Sequence, residues 1–354
     1  YRTWVTPLVL LAWPYAVVVL LTFFFGPLFG YVPLFMESVL VWVAGLPLFW
    51  LGGLPVALLG GGRIRAETRA PSPLVHEEKS KRLALLLAWA CILGLMLRFL
   101  QVGGPAAIAR EDFLVAYVAG WAGHVMTVAF LLLAFLIGVA QRKEWALWLT
   151  ILVLLGMVIL YQTKTWIFMS IVAGLIYRVM SGRLRLSLSK VPWALLTVAI
   201  LFSLSYLIGF GAGNRETIFD PATYRFLLRH SGSYIFGGVL SWGEAVRLKT
   251  TPLHGDALYV YGPFVNLYRV ATSGDLVSDV SPYWSLIDRA GTRGSNVHTF
   301  FGTLLMYLGW LRTVVHVLGL SLVFHGLFAL AQIRRNCWIA AAWSFLAAGL
   351  SFGW

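Results

Sequence analysis

Eight cations stand in one stretch of an otherwise apolar chain: Arg215, Arg225, Arg229, Arg247, Lys249, Arg269, Arg289 and Arg293. Between them lie Phe226–Leu228, Tyr234–Phe236, Val239–Leu240, Ala257–Tyr261 and Phe264–Val265. These read as short amphipathic or re-entrant helices, not as solvated linker. Tyr224-Arg225 and Arg229-His230 are one helical turn apart, so a helix there presents two guanidinium groups on one face. A guanidinium fork matches phosphate oxygens, and several forks in a poorly hydrated cleft can hold a diphosphate without a metal. The competing reading pairs the cations with surface carboxylates such as Glu216, Asp220, Glu244 and Asp288. Cations grouped on membrane-hugging segments favour anion handling. Lys164 is a further cation, beside two hydroxyls in Gln162-Thr163-Lys164-Thr165, where snorkelling to headgroups is its competing role.

Metal chemistry finds no matching pattern. The carboxylates are dispersed, with no DxD, HExxH or close pair to seat magnesium, manganese or zinc. Gly60-Gly61-Gly62-Arg63 lacks the Lys-Ser/Thr of a P-loop. A metal-independent site with no cofactor is therefore expected. Cys91 and Cys337 both lie in apolar runs and read as packing residues. His124, His316 and His325 also lie in apolar runs, where a histidine is either functional or neutral and bonded to a carbonyl.

The elements that must carry this loop follow from composition. Of 354 residues 60% are hydrophobic and 12% charged, and the mean hydropathy is +0.82. No soluble domain has that balance, so an all-α polytopic membrane protein is expected. Apolar runs, most of them long enough to cross about 30 Å of hydrocarbon, occur at Pro7–Phe25, Val32–Leu59, Leu83–Leu100, Phe113–Ala140, Trp145–Tyr161, Trp166–Val179, Val191–Phe210, Val314–Ile333 and Cys337–Phe352. That predicts about 9–10 transmembrane helices. The sixth and last runs are short for a span.

Lys and Arg crowd alternate connections: 63–82, Arg142-Lys143, Arg178–Lys190 and Arg334-Arg335. These are expected to be cytoplasmic, which places residues 211–301 outside. The chain then reads as a single integral membrane domain, 1–354, with a flexible cytoplasmic linker at 61–82 and the long loop 211–301 carrying the site. The net charge of +13 is mostly topological and implies anionic lipid, not nucleic acid.

The segment Ser295-Asn296-Val297-His298-Thr299-Phe300-Phe301-Gly302, followed by Tyr307-Leu308-Gly309-Trp310 and a hydrophobic helix ending in Arg334-Arg335, resembles a known pattern. It is similar to the Asn-Val-Tyr-Thr stretch closing the large outer loop of Wzy-type O-antigen polymerases. The resemblance covers roughly Tyr161 to Arg335. It departs at His298, where that family usually has Tyr, and at Thr163-Lys164, where it has a small residue and Arg.

What the resemblance implies is a lipid-dependent glycosyltransferase of GT-C type in the bacterial inner membrane, active at its periplasmic face. It would transfer a growing glycan from undecaprenyl diphosphate to a new lipid-linked repeat unit, with a chain-length regulator as a possible partner. Lys164, Arg215, Arg229, Arg269 and Arg293 would then hold the diphosphate, and His298 or Glu244 would serve the acceptor hydroxyl. Arg225, Tyr234 and Asn296 would line the substrate path. The related O-antigen ligases, which use a histidine near their diphosphate, are the nearest alternative, and a lipid-linked oligosaccharide flippase is a further one.

Overall fold

The computed structural model describes residues 6–67, 74–108, 110, 112–161, 164–184, 220–248, 257–272, 283–295 and 298–352. They form eleven α-helices and one small hairpin among the described residues. In chain order the helices are α1 (Pro7–Phe25), α2 (Met36–Glu67), α3 (Glu77–Gln101), α4 (Phe113–Val118), α5 (Trp121–Val139), α6 (Trp145–Ile159) and α7 (Lys164–Met180). Then come α8 (Pro221–Arg247), α9 (Leu258–Ala271), α10 (Phe300–Arg334) and α11 (Cys337–Ser351). Five stretches are long and apolar enough to cross a membrane: Pro7–Phe29, Met36–Leu59, Glu77–Gln101, Trp121–Val139 and Phe300–Arg334. Trp145–Ile159, Thr165–Met180 and Cys337–Ser351 are shorter apolar helices. The chain is thus an all-α, multi-pass membrane protein. The predicted run Val191–Phe210 lies outside the described residues.

Residues 62–228 and 327–349 make one compact unit. In it α5 and α7 approach closely, because an added Cβ at Gly174 would stand 2.6 Å from Ile137 and one at Gly138 2.7 Å from Tyr177. Ser170 Oγ donates to the Phe130 carbonyl across the same seam at 3.0 Å. Small residues and a hydroxyl are what bring spanning helices together when lipid removes the hydrophobic drive. At one end Lys81 bridges Glu78 and Glu144 at 2.8 and 2.7 Å, and Arg183 pairs with Glu77. Arg178 donates to the carbonyls of Ile137 and Ala140, and the Val75 N–H donates to the Arg335 carbonyl at 2.9 Å. All four Lys/Arg-rich connections therefore meet at one end of this unit, as their alternation along the chain predicts.

Residues 7–61 and 229–326 make the other unit. Its core gathers Leu11, Tyr15, Trp42, Phe49, Val239, Phe301 and Val317. Here α2 crosses α10 at Gly52-Gly53: a Cβ at Gly52 would lie 2.7 Å from the Leu318 carbonyl oxygen, and one at Gly53 2.7 Å from the His325 ring. Ser321 Oγ donates to the Phe49 carbonyl at this crossing.

Several elements differ from the periodicity-based expectation. The run Phe113–Ala140 is broken into α4 and α5 at Gly120, whose φ of 66° and ψ of −134° only glycine adopts easily. The span predicted at Val314 begins at Phe300 instead, and α10 bends at Gly309, where φ is 71° and ψ 178°. The stretch before the bend is mostly buried in protein, whereas Trp310 and Leu311 just after it are exposed. The several short helices expected between Phe226 and Leu240 are one 27-residue helix, α8. Within 61–82, α2 runs on to Glu67 and α3 starts at Glu77, so helix occupies both ends of the expected linker.

Candidate functional site

The hairpin is built from β1 (Ser285–Leu286) and β2 (Gly294–Ser295), paired antiparallel with Ser285 opposite Ser295. Asp288 closes its turn: one carboxylate oxygen accepts the N–H groups of Thr292 and Arg293 at 2.9 Å each, and the other accepts the Thr292 hydroxyl at 2.7 Å. Partial burial works to raise the Asp288 carboxyl. These bonds, with the Arg293 charge, outweigh it and hold the group below the usual carboxylate range. The connection between α1 and α2 then docks as a third strand-like edge. Val32 N–H donates to the Ile287 carbonyl at 3.0 Å, and Arg289 N–H donates to the Gly30 carbonyl at 3.0 Å.

That docking buries Tyr31 completely. Its hydroxyl donates to the Arg229 carbonyl on α8 at 2.5 Å and also takes a hydrogen bond from the Arg293 side chain. Burial raises the Tyr31 phenol against the pull of the Arg293 charge, so Tyr31 stays a neutral donor. Gly232, one turn past Arg229, permits the approach, since a Cβ there would stand 3.0 Å from the phenol oxygen. Tyr31 thus ties the α8 backbone at Arg229, whose own side chain is exposed, to the Arg293 guanidinium. Its position in an outward connection, on the same predicted side as the long loop, was the only sequence signal for it.

Ser241 Oγ of α8 donates to the Ser295 carbonyl at 3.1 Å, and Trp242 Nε1 donates to the Ser38 carbonyl at 3.0 Å, so α8 holds the hairpin against α2. Three residues past β2 comes His298, 6% exposed, its ring 6.2 Å from Tyr283. Thr299 follows and caps α10, its hydroxyl accepting the Gly302 N–H at 3.1 Å. His298 and the capping Thr299 therefore set a buried imidazole at the entry to α10. Tyr307, from the buried first part of α10, stacks on Tyr259 at 4.3 Å and accepts the Tyr283 N–H at 2.9 Å.

The remaining predicted positions divide. Glu244 is buried, and both its oxygens are occupied by Arg247, through Nε at 3.0 and 3.1 Å and Nη2 at 2.5 Å. A carboxylate so engaged is a poor choice for the group that takes the acceptor proton. Tyr234 is exposed on α8, with the His230 ring edge-on at 5.2 Å. Arg269 stands half-buried in the last turn of α9. Lys164 opens α7 and Arg225 lies near the start of α8; both belong to the first unit. Arg215 and Asn296 lie outside the described residues. His316 and His325 each bond a carbonyl four residues back, at Arg312 and Ser321, which is the structural role weighed for histidines in spans. Among the described residues no three of His, Cys, Asp and Glu come together as metal ligands would.

No curated protein and no solved structure matches the chain. The model of a family of unknown function, DUF6337, matches residues 30–354, and the chain belongs to that family.

Proposed function

We propose that this DUF6337 member is a glycosyltransferase that polymerises undecaprenyl-diphosphate-linked repeat units at the outer face of the bacterial inner membrane, in a GT-C type architecture. The observation that carries the reading is the Tyr31 locus, where the phenol takes a hydrogen bond from the Arg293 side chain and donates to the backbone carbonyl of Arg229 within one compact unit. Departure of undecaprenyl diphosphate from an anomeric carbon builds negative charge on the leaving group. A preorganised cationic donor in a water-poor site can stabilise such charge by about 3 kcal/mol. Arg293, held by Tyr31 and by the Asp288-capped turn, is such a donor, and Arg229 and Arg269 complete the proposed set. His298, a buried imidazole five residues past Arg293 at the head of α10, takes the acceptor proton or bonds a diphosphate oxygen. Tyr234 and Asn296, on the same stretch as Arg229 and Arg293, belong to the same proposal as substrate-binding residues.

The buried His298, standing where the resembling polymerases carry Tyr, favours a ligase as second reading. The test is elongation by purified protein in detergent with excess EDTA, using lipid-linked repeat units as both donor and acceptor. Longer lipid-linked glycan is the expected product. Transfer only to a non-repeat acceptor would select the ligase. Lipid movement in sealed vesicles without any new glycosidic bond would select a flippase, and activity restored only by magnesium or manganese would defeat the metal-independent scheme.

A further inference from the structure

Helix α9 changes surroundings along its length. Tyr259 stacks on Tyr307, while Val260 and Tyr261 pack against the cluster that holds Val317. Further along the same side, one turn past Val260 and Tyr261, Phe264 and then Tyr268 are 71% and 69% exposed. The level of this helix can be read from one hydrogen bond: Tyr261 Oη lies 2.7 Å from His316 Nε2. His316 Nδ1 lies 2.6 Å from the Arg312 carbonyl, which can only accept, so Nδ1 carries a proton there and Nε2 is left to hydrogen-bond Tyr261. From His316 to Arg334, the basic end of α10, is roughly 18 residues, or about 27 Å at 1.5 Å per residue. A hydrocarbon core is about 30 Å thick, so His316 stands near the boundary opposite Arg334. Trp310 and Arg312, both exposed, lie just beyond it, as interfacial residues do.

We propose that α9 lies in the headgroup boundary of the bilayer and that Phe264 and Tyr268 are its lipid-contacting face, the partner being the lipid surface itself. A second copy of the chain or a soluble partner would leave the depth set by Tyr261 and His316 unexplained. Aromatic rings on a helix laid at that boundary bury their apolar bodies while a phenol reaches water. The proposal does not depend on the enzymatic reading.

The experiment is nitroxide labelling of Phe264→Cys and, separately, Tyr268→Cys, with the protein reconstituted in vesicles of phosphatidylethanolamine and phosphatidylglycerol. Cys91 and Cys337 are buried, and the parent protein supplies their labelling background. Collision rates with oxygen and with a water-soluble nickel chelate are compared with those at Arg289→Cys, on the exposed hairpin turn. Labels at 264 and 268 should collide several-fold more with oxygen than with the chelate, and the label at 289 the reverse. Chelate preference at both 264 and 268 would put α9 in water and overturn the proposal. Low collision with both reagents would show a protein covering the face and would overturn it equally. Both substitutions fall on exposed side chains, and retention of the parent's gel-filtration profile checks the fold.

Discussion

At the scale of single residues, Tyr31 decides how Arg293 of the long loop is held. Phenylalanine in its place removes a second donor to the Arg229 carbonyl and leaves the Arg293 guanidinium without its phenol acceptor. That omission costs about 1–3 kcal/mol. Tyr31→Phe should therefore lower the thermal midpoint by several degrees and slow elongation, while Arg293→Ala should slow elongation by 10²-fold or more, the size of loss that one missing charge-stabilising donor produces. Arg293→Lys should recover only part, since an ammonium keeps the charge without the planar fork. Elongation rates for the three proteins, with circular dichroism as a fold check, decide it; a near-normal Arg293→Ala protein would remove the diphosphate locus. Asp288 gives a second residue-scale outcome. Its folded-state pKa is lowered, so its contribution is present above the unfolded carboxyl value, about 3.9, and is lost as pH falls through the lower folded value. The hairpin should thus loosen only below about pH 4, seen as faster hydrogen exchange at the Thr292 and Arg293 amides. In Asp288→Asn that acid-dependent rise should disappear, with exchange already fast at neutral pH.

At the scale of elements, the sequence was most legible where apolar length alone decides the structure. Pro7–Phe25 is both the predicted run and α1, and Cys337 starts α11 as expected. It was least legible where backbone geometry or long-range pairing decides. The hairpin has two residues per strand and gains its order from Asp288 and from the distant Gly30–Val32 edge, neither of which leaves a period-two pattern. Polar Ser231, Ser233 and Ser241 interrupt the apolar groups of α8 and made one helix look like several, yet Ser233 bonds back to the His230 carbonyl and Ser241 reaches Ser295. Gly309 was read within a motif, and its bend is a tertiary outcome. Its φ of 71° with ψ of 178° is open essentially to glycine alone. Gly309→Ala should cost about 1–3 kcal/mol and lower the thermal midpoint in detergent. Gly52→Ala tests a different constraint, space between helices: its Cβ would meet a backbone oxygen, which cannot rotate away, so α2 and α10 must part. A loss of about 1–3 kcal/mol is expected there too. An unchanged midpoint for either protein would mean that the bend, or the crossing, is not under the constraint described.

At the scale of the whole molecule, the charge pattern carried more than any motif. Alternate connections rich in Lys and Arg were expected on one side, and in the first unit those of α3, α5–α6, α7 and α10–α11 meet at one end through Lys81–Glu144, Arg183–Glu77, Arg178 with the Ala140 carbonyl, and Val75 with Arg335. The pattern was legible because each basic loop follows an apolar run along the chain, whereas the site in the other unit depends on contacts such as Tyr31 to Arg229 that span 198 positions. The tendency of Lys and Arg to stay in the cytoplasm predicts that the basic connections are inside and the long loop outside, as the proposed chemistry requires. Arg142, exposed between α5 and α6, belongs to the basic end, and Arg289, exposed on the hairpin turn, belongs to the long loop. Cysteines at these two positions should therefore differ in reactivity. In intact spheroplasts a membrane-impermeant maleimide should label Arg289→Cys and leave Arg142→Cys untouched until the membrane is permeabilised. Neither position lies within a span, so labelling reports access from each side, and Cys91 and Cys337 are buried and contribute little background. Labelling of Arg142→Cys alone in intact cells would invert the orientation. Lipid-linked repeat units at the outer leaflet could then no longer reach Arg229 and Arg293, and the polymerase reading would fall with it.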